Sequence, residues 1–223
     1  MRRGPTGWPT REEPIVDRDG VVTRAEELDP DVGARIRFIY ELDRLKDVLR
    51  QTLVLDGERR ENSAEHSWHV AMTGLAMAPF ANEAIDIERV LKILLVHDVV
   101  EIDAGDVYIY DEARRAEAEA AERAAADRIF GMVPDPEGSE LRALWDEYET
   151  RSTPEARFAY ACDRLQPMLL NVGLGGGSWT AHGVGIEQVR RINGRMVEGT
   201  ERVWAVAEQL LEATFADLSS EDG

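Results

Sequence analysis

Apolar residues recur every three or four positions through most of the chain. Between Val32 and Arg50, the residues Ile36, Ile39, Tyr40, Leu42, Leu45, Val48 and Leu49 keep that spacing and predict one amphipathic helix. Gly57 breaks the pattern. Asn62-Ser63-Ala64-Glu65 then sets a capping residue three positions before a glutamate, the arrangement of a capping box, so a second helix is predicted from there to about Ala81. A third, capped by Asp86, runs through Ile87, Val90, Leu91, Ile93, Leu94, Leu95, Val96, Val99 and Val100. It is apolar nearly all round, which predicts burial, and at about 15 residues it exceeds the usual strand.

Further along, the Ala-, Arg- and Glu-rich stretch from Glu112 to Phe130, closed by Gly131, predicts a long helix. Ser139 to Tyr148 predicts a short one. Thr153-Pro154-Glu155 combines an N-cap with proline at the first helical position and starts a helix to about Asn171. Ile186 to Val197 and Thr200 to Asp217 complete the series. Four glycines between Gly173 and Gly177 predict a flexible linker; no Lys-Ser/Thr follows them, so a phosphate loop is not indicated. No strand signal rivals these helices, and the predicted fold class is all-α. Pro5, Pro9, Pro14 and Pro30, with Gly4, Gly7 and Gly20 among many charges, predict a mobile or loosely docked arm over residues 1–30. A single helical domain is expected over 31–218.

Composition narrows the partners. With 44 acidic against 26 basic residues the formal net charge is -18, which repels nucleic acid and anionic membranes, and no basic cluster offsets it. The longest apolar stretch, around Leu91 to Val100, contains Lys92, His97 and Asp98 and is no membrane span. No apolar segment follows Met1-Arg2-Arg3 and Cys162 is the only cysteine, so a cytoplasmic protein without disulfides is expected. All but two of the basic residues are arginines, whose planar forks suit phosphate or carboxylate.

The chemistry concentrates at four positions. His97 and Asp98 stand side by side in aliphatic surroundings, Asp163 shares a helix face with Ala159, Cys162, Gln166 and Leu170, and His66 shares one with Val70 and Thr73. A carboxylate on an apolar face is costly unless paired or coordinated. Two imidazoles and two carboxylates converging from three helices would suit a divalent cation such as Mn, Fe, Co or Zn. The alternative for each residue is a core histidine or an Asp-Arg salt bridge.

The longer pieces Arg59-Arg60-Glu61-Asn62-Ser63-Ala64-Glu65-His66-Ser67-Trp68 and His97-Asp98-Val99-Val100-Glu101-Ile102-Asp103-Ala104-Gly105-Asp106, followed by Asp163, resemble the HD-domain phosphohydrolases. The match is to the branch holding the bacterial 5'-deoxynucleotidases and the human HD-domain-containing protein 2, and it runs from about Ile36 to Asn171. The resemblance implies an HD-domain helical bundle with one divalent metal ion (Mn, Co, Zn, Fe or Mg) in its core. It implies ligation by His66, His97, Asp98 and Asp163, catalytic roles for Glu101 and Asp106, and phosphate binding by Arg50 and Arg59. The implied activity is hydrolysis of nucleoside 5'-monophosphates, with another phosphate ester, a polyphosphate or a silent binding module as alternatives. Relatives are often dimeric, and a charge of -18 does not forbid a homodimer.

Some residues receive lesser roles. Some HD-fold proteins are di-iron oxygenases with extra histidines before the last aspartate; none stands between Asp98 and Asp163, which argues for a mononuclear hydrolase. His69 is expected behind the ligands, His182 exposed, and Cys162 a small core residue. Ser67 lacks a nucleophile setting. The bacterial enzymes carry Trp after the first arginine, near the sugar, whereas Gln51 and Thr52 follow Arg50 here, so looser rejection of ribose is expected.

Overall fold

The computed structural model describes residues 18–221, at positions 112, 113, 115–117 and 221 for the backbone alone. Eleven α-helices occupy the described residues: α1 (Arg18–Leu28), α2 (Pro30–Leu42), α3 (Ser63–Met77), α4 (Ile87–Val96), α5 (Glu101–Ala104), α6 (Glu112–Phe130), α7 (Glu137–Thr150), α8 (Pro154–Gly173), α9 (Gly177–Ala181), α10 (Ile186–Asn193) and α11 (Glu201–Glu221). One short antiparallel hairpin, β1 (Leu49–Leu53) and β2 (Arg60–Asn62), interrupts them.

Several predicted starts are reproduced by the chemistry that marked them. Asn62 accepts from the Glu65 N–H at 2.9 Å and Glu65 reaches back to the Asn62 N–H, which fixes the first turn of α3. Thr153 caps α8 through the Ala156 N–H, with Pro154 behind it.

The predicted helix from Val32 to Arg50 is corrected: α2 stops at Leu42, a 3-10 turn covers Asp43–Asp47, and β1 takes the remainder. Helical spacing was kept by a turn and a strand in succession. In the hairpin Leu49 pairs with Asn62 and Leu53 with Arg60, so β1 advances four residues while β2 advances two. Such a bulge twists a strand and re-aims its side chains, and Arg50 and Thr52 are both buried.

The third predicted helix is also shorter. α4 ends at Val96 and buries one face only (Val90, Ile93, Leu94, Val96), while Leu95 is 53% exposed. His97 and Asp98 therefore lie in the turn between α4 and α5, not within a helix buried all round. The arm expected over 1–30 is ordered from Arg18, because α1 packs on α2 with Val22 buried; residues 1–17 lie outside the described residues. Arg18 reaches the buried Glu41, which also pairs with Arg44 and Arg128, so one carboxylate ties α1, the 3-10 turn and α6 to the end of α2.

The glycine run is not a loose linker. Gly175, Gly176 and Gly177 all have positive φ, and a Cβ on Gly177 would stand 2.5 Å from Asn171 Oδ1, the atom that accepts from the Ser178 N–H and hydroxyl. The glycines let the chain fold tightly onto α8 and start α9, which the sequence pattern does not announce.

Two apolar clusters flank α8. One gathers Val70, Val90, Ile93, Leu94, Ile129, Phe130 and Trp145 with Phe158, Ala159 and Cys162 of α8. The other gathers Trp179, Val184, Val189, Met196, Ala207 and Leu211 with Ala161, Leu165 and Met168 of the same helix. No described helix is long and apolar enough to cross a membrane.

Candidate metal centre and active site

The capping box sets His66 one turn inside α3, on the face that buries Ser63, Ser67 and Val70. His97 closes α4 with its N–H on the Ile93 carbonyl. The turn that follows is tighter than an α-helix, with Glu101 N–H donating to the Asp98 carbonyl. Glu101 consequently starts α5 on the same side as Asp98. Asp163 enters from the middle of α8.

These side chains converge. His66 Nε2 lies 2.9 Å from Asp163 Oδ1 and 3.6 Å from Asp98 Oδ2; His97 Nε2 lies 3.2 Å from Asp98 Oδ1 and 3.5 Å from Asp163 Oδ1. The donor atoms of His66, His97 and Asp98 all fall within 4.8 Å of one another. His66, His97 and Asp163 are at most 2% exposed.

Hydrogen bonds behind the imidazoles decide where their protons sit. Gln166 Nε2 donates to Glu61 Oε1 and to His69 Nδ1, both at 2.9 Å, so its carbonyl oxygen faces His66 Nδ1, also at 2.9 Å. A carbonyl only accepts, so His66 carries its proton on Nδ1 and turns the lone pair of Nε2 inward. His97 Nδ1 donates likewise to the Leu94 carbonyl at 2.7 Å. Its Nε2 is buried without a hydrogen-bond partner. Imidazole lone pairs and carboxylate oxygens pointed at one another repel unless a proton or a metal cation stands among them. A backing acceptor on the outer nitrogen is the usual support of a metal-bound histidine. The residues therefore fit a divalent cation.

The carboxyl groups divide into two kinds. Burial would raise Asp163, but Arg164, His66 and His97 outweigh it and hold the carboxyl well below its ordinary range. Asp98 is lowered in the same sense, burial being overcome by His97 and Arg50. Glu101 is raised well above its ordinary value by burial and by the charges of Asp98 and Asp106, which Arg50 only partly offsets. Asp106 is raised chiefly by burial. In His97, burial opposes protonation but Asp98 and Asp163 prevail, pushing the metal-free imidazole up to about 9.

Arg50, buried on β1, donates to Asp98 Oδ2 at 2.7 Å and stands 3.6 Å from Glu101 and 3.7 Å from Asp106. Asp106 is brought there by Gly105, whose φ of 76° suits glycine; a Cβ would meet nothing, so the requirement is the backbone turn and not space. Ser63 Oγ donates to Glu101 Oε2 at 2.5 Å. Arg59 is not brought in: it projects from the hairpin end, 56% exposed, and pairs with Glu65. His69 lies behind Gln166, His182 is exposed against Tyr108, and burial pushes the Cys162 thiol up, away from nucleophilic use.

A profile described as "HD domain" matches residues 42–204. The chain belongs to the HD domain family. Within it, the chain is 46% identical to a protein of Magnetospirillum magnetotacticum MS-1 whose crystal structure is described as a predicted metal-dependent phosphohydrolase; the likeness covers 84% of this chain and 97% of that one, with a TM-score of 0.80. It is similar to the 5'-deoxynucleotidase HDDC2 of Danio rerio, 30% identical over 135 residues, or 60% of this chain and 66% of that protein. For the Homo sapiens HDDC2 the figures are 29% over 140 residues, 61% and 67%. The chain thus spans about two thirds of the length of these curated relatives.

The HD domain recruits groups that motif reading passes over. Tyr148 OH donates to Asp163 Oδ2 at 2.5 Å, and Arg164 Nε donates to the same oxygen at 3.0 Å. Gln166 was on the Asp163 face by spacing, three residues on, and Glu61 directly precedes the capping residue; both are buried polar groups whose reason lies in His66. A cleft of about 300 Å³ opens over this cluster, lined by Arg50, Asp98, Glu101, Asp106, Tyr148 and Arg164 and also by Tyr108, Tyr110, Trp179 and Asn193.

Proposed function

We propose that this HD domain protein is a metal-dependent phosphohydrolase of the 5'-nucleotidase type, releasing phosphate from nucleoside 5'-monophosphates. The observation that carries the reading is the buried, unpartnered His97 Nε2 facing Asp98 and Asp163, beside two carboxyl groups, Glu101 and Asp106, that burial pushes upward. His66, His97, Asp98 and Asp163 would hold one divalent cation, drawn from Mn, Co, Zn, Fe or Mg. When bound, such a cation supplies Lewis-acid stabilisation to phosphoryl oxygens and acidifies water.

The chain's own groups supply the rest. Asp98 and Asp163 are held toward the ionised form while Glu101 and Asp106 are pushed toward the protonated one, and carboxyls pushed apart in this way suit separate roles. Glu101 is held by Ser63 at Oε2, which leaves Oε1 to give or take a proton. Asp106, across Arg50, would protonate the leaving oxygen. Arg50 balances part of the negative charge of this end and keeps it compact. The aromatic and amide groups of the lining, Tyr108, Tyr110, Trp179 and Asn193, suit a nucleoside.

The relatives named as 5'-deoxynucleotidases support the substrate class, as does the chemistry of the cleft. The reading extends to a cytoplasmic enzyme that binds no nucleic acid and is compatible with a homodimer. Its test is phosphate release from nucleoside mono-, di- and triphosphates with each metal in turn, and kcat/KM for the pair AMP and dAMP. Gln51 and Thr52 line the cleft beside Arg50, and the expected outcome is turnover of both with only mild preference for deoxyribose. Inactivity on every monophosphate overturns the substrate assignment.

A further inference from the structure

The cleft holds three arginines, and two are committed. Arg50 is bound to Asp98, and Arg164 to Asp163. Arg151, which lines the same cleft, makes no ion pair with any described carboxylate, acting only at longer range on Glu198, and its Nε, like that of Arg50, is buried without a hydrogen-bond partner. In a protein of net charge -18, a cleft cation with no carboxylate in direct contact is conspicuous.

Its backbone is unusual as well. Arg151 ends α7 with φ 50° and ψ 36°, and it is the one described non-glycine residue with positive φ. Its N–H closes the helix on the Glu147 carbonyl, the position where glycine is the favoured residue. Arginine there carries backbone strain that glycine would not, and strained positions that persist cluster where a side chain is needed for function. That side chain is held by stacking: the Arg151 guanidinium lies 4.8 Å from the centroid of the Tyr160 ring, and Arg164 lies 5.6 Å from the same centroid. Tyr160 thus orients Arg151 beside the arginine that grips Asp163, one helical turn along α7 from Tyr148, whose hydroxyl touches the same aspartate.

We propose that Arg151 is a phosphate-binding residue of the cleft, supplying an uncommitted planar guanidinium to anionic phosphate oxygens of the substrate. The inference rests on the phosphohydrolase reading for the identity of the substrate. The fork geometry suits two oxygens of one phosphoryl group. The shared chemistry admits two sources, the phosphoryl group that is cleaved and a second phosphate beyond it.

The test compares wild type with Arg151→Gly and Arg151→Asn, both compatible with left-handed backbone. Binding of inorganic phosphate and of pyrophosphate to Mn-loaded protein is measured by calorimetry at constant free Mn, with Tm recorded for each protein. The expected result is a Tm equal to or above wild type in Arg151→Gly, with phosphate binding weakened about 10- to 100-fold. An equal loss for both ligands assigns Arg151 to the cleaved group, and a larger loss for pyrophosphate to a second phosphate. Unchanged affinity in both variants, or loss of affinity only together with a fall in Tm, overturns the proposal. The hydrolase reading fails separately, by absence of turnover in wild type, while the binding comparison still reports on Arg151.

Discussion

His66 Nε2 faces Asp163 Oδ1 across 2.9 Å, although the Gln166 carbonyl fixes the imidazole proton on the opposite nitrogen. Two electron pairs are thereby directed at one point, and His97 adds a third once its Nε2 gives up its proton. Removing one should disperse the site. His97→Ala is expected to lose bound metal and turnover together, read by elemental analysis of the purified protein. Wild-type metal content in both His97→Ala and Asp98→Ala would remove the ligand assignment.

Gln166 acts at one remove. It accepts from His66 while donating to Glu61, so Gln166→Leu frees the imidazole to rotate or to exchange its tautomer. Loss of such a backing partner typically weakens metal binding about 10- to 100-fold. Competition with a chelator of known affinity measures this, and an unchanged metal affinity would show that packing alone orients His66.

Glu101→Gln and Asp106→Asn leave every proposed ligand in place. Both should retain stoichiometric metal while turnover falls about 10²- to 10⁴-fold, the usual worth of general acid-base assistance. Full activity in either variant excludes that residue from proton transfer.

Acid sensitivity should trace in part to a carboxylate that does not line the cleft. Burial alone would raise Glu41, but hydrogen bonds from Arg128, Arg18 and Arg44 prevail and lower it to about 2. A carboxyl depressed in the folded state stabilises it fully above its ordinary value near 4.5 and progressively less as pH falls toward 2. Glu41→Gln is expected to cost about 1 to 3 kcal/mol at neutral pH. Denaturation with urea should show the gap between wild type and variant narrowing below pH 4.5, and a gap independent of pH would contradict the assignment.

What the sequence made legible follows from how local each signal is. Caps at Asn62, Asp86 and Thr153 act within three residues, and all three are found at helix starts. Metal-type residues could be grouped because His, Asp and Glu are rare on apolar faces, and the structure brings His66, His97, Asp98 and Asp163 together along with Glu101 and Asp106. The hairpin escaped because Val48 and Leu49 continue a helical period by coincidence. The fate of the two arginines turned on the same hairpin: the bulge points Arg50 inward, whereas Arg59 leaves with the turn. Arg164, Tyr148 and Arg151 had no spacing to mark them, since what joins them is packing between α7 and α8.

The position of α8 between the two apolar clusters bears on how this protein can be cut down. Every proposed ligand and acid-base group lies before Gly173, which invites the design of a minimal enzyme ending there. Yet the helix that presents Asp163 and Gln166 rests Ala161, Leu165 and Met168 on Trp179, Val189, Met196 and Leu211. A chain severed at Gly173 would leave that side of α8 bare to water, and a loosened α8 would carry Asp163 away from His66. The C-terminal helices contribute no ligand to the chemistry, but they serve as its anvil: the half that holds the reactive groups is not a detachable module.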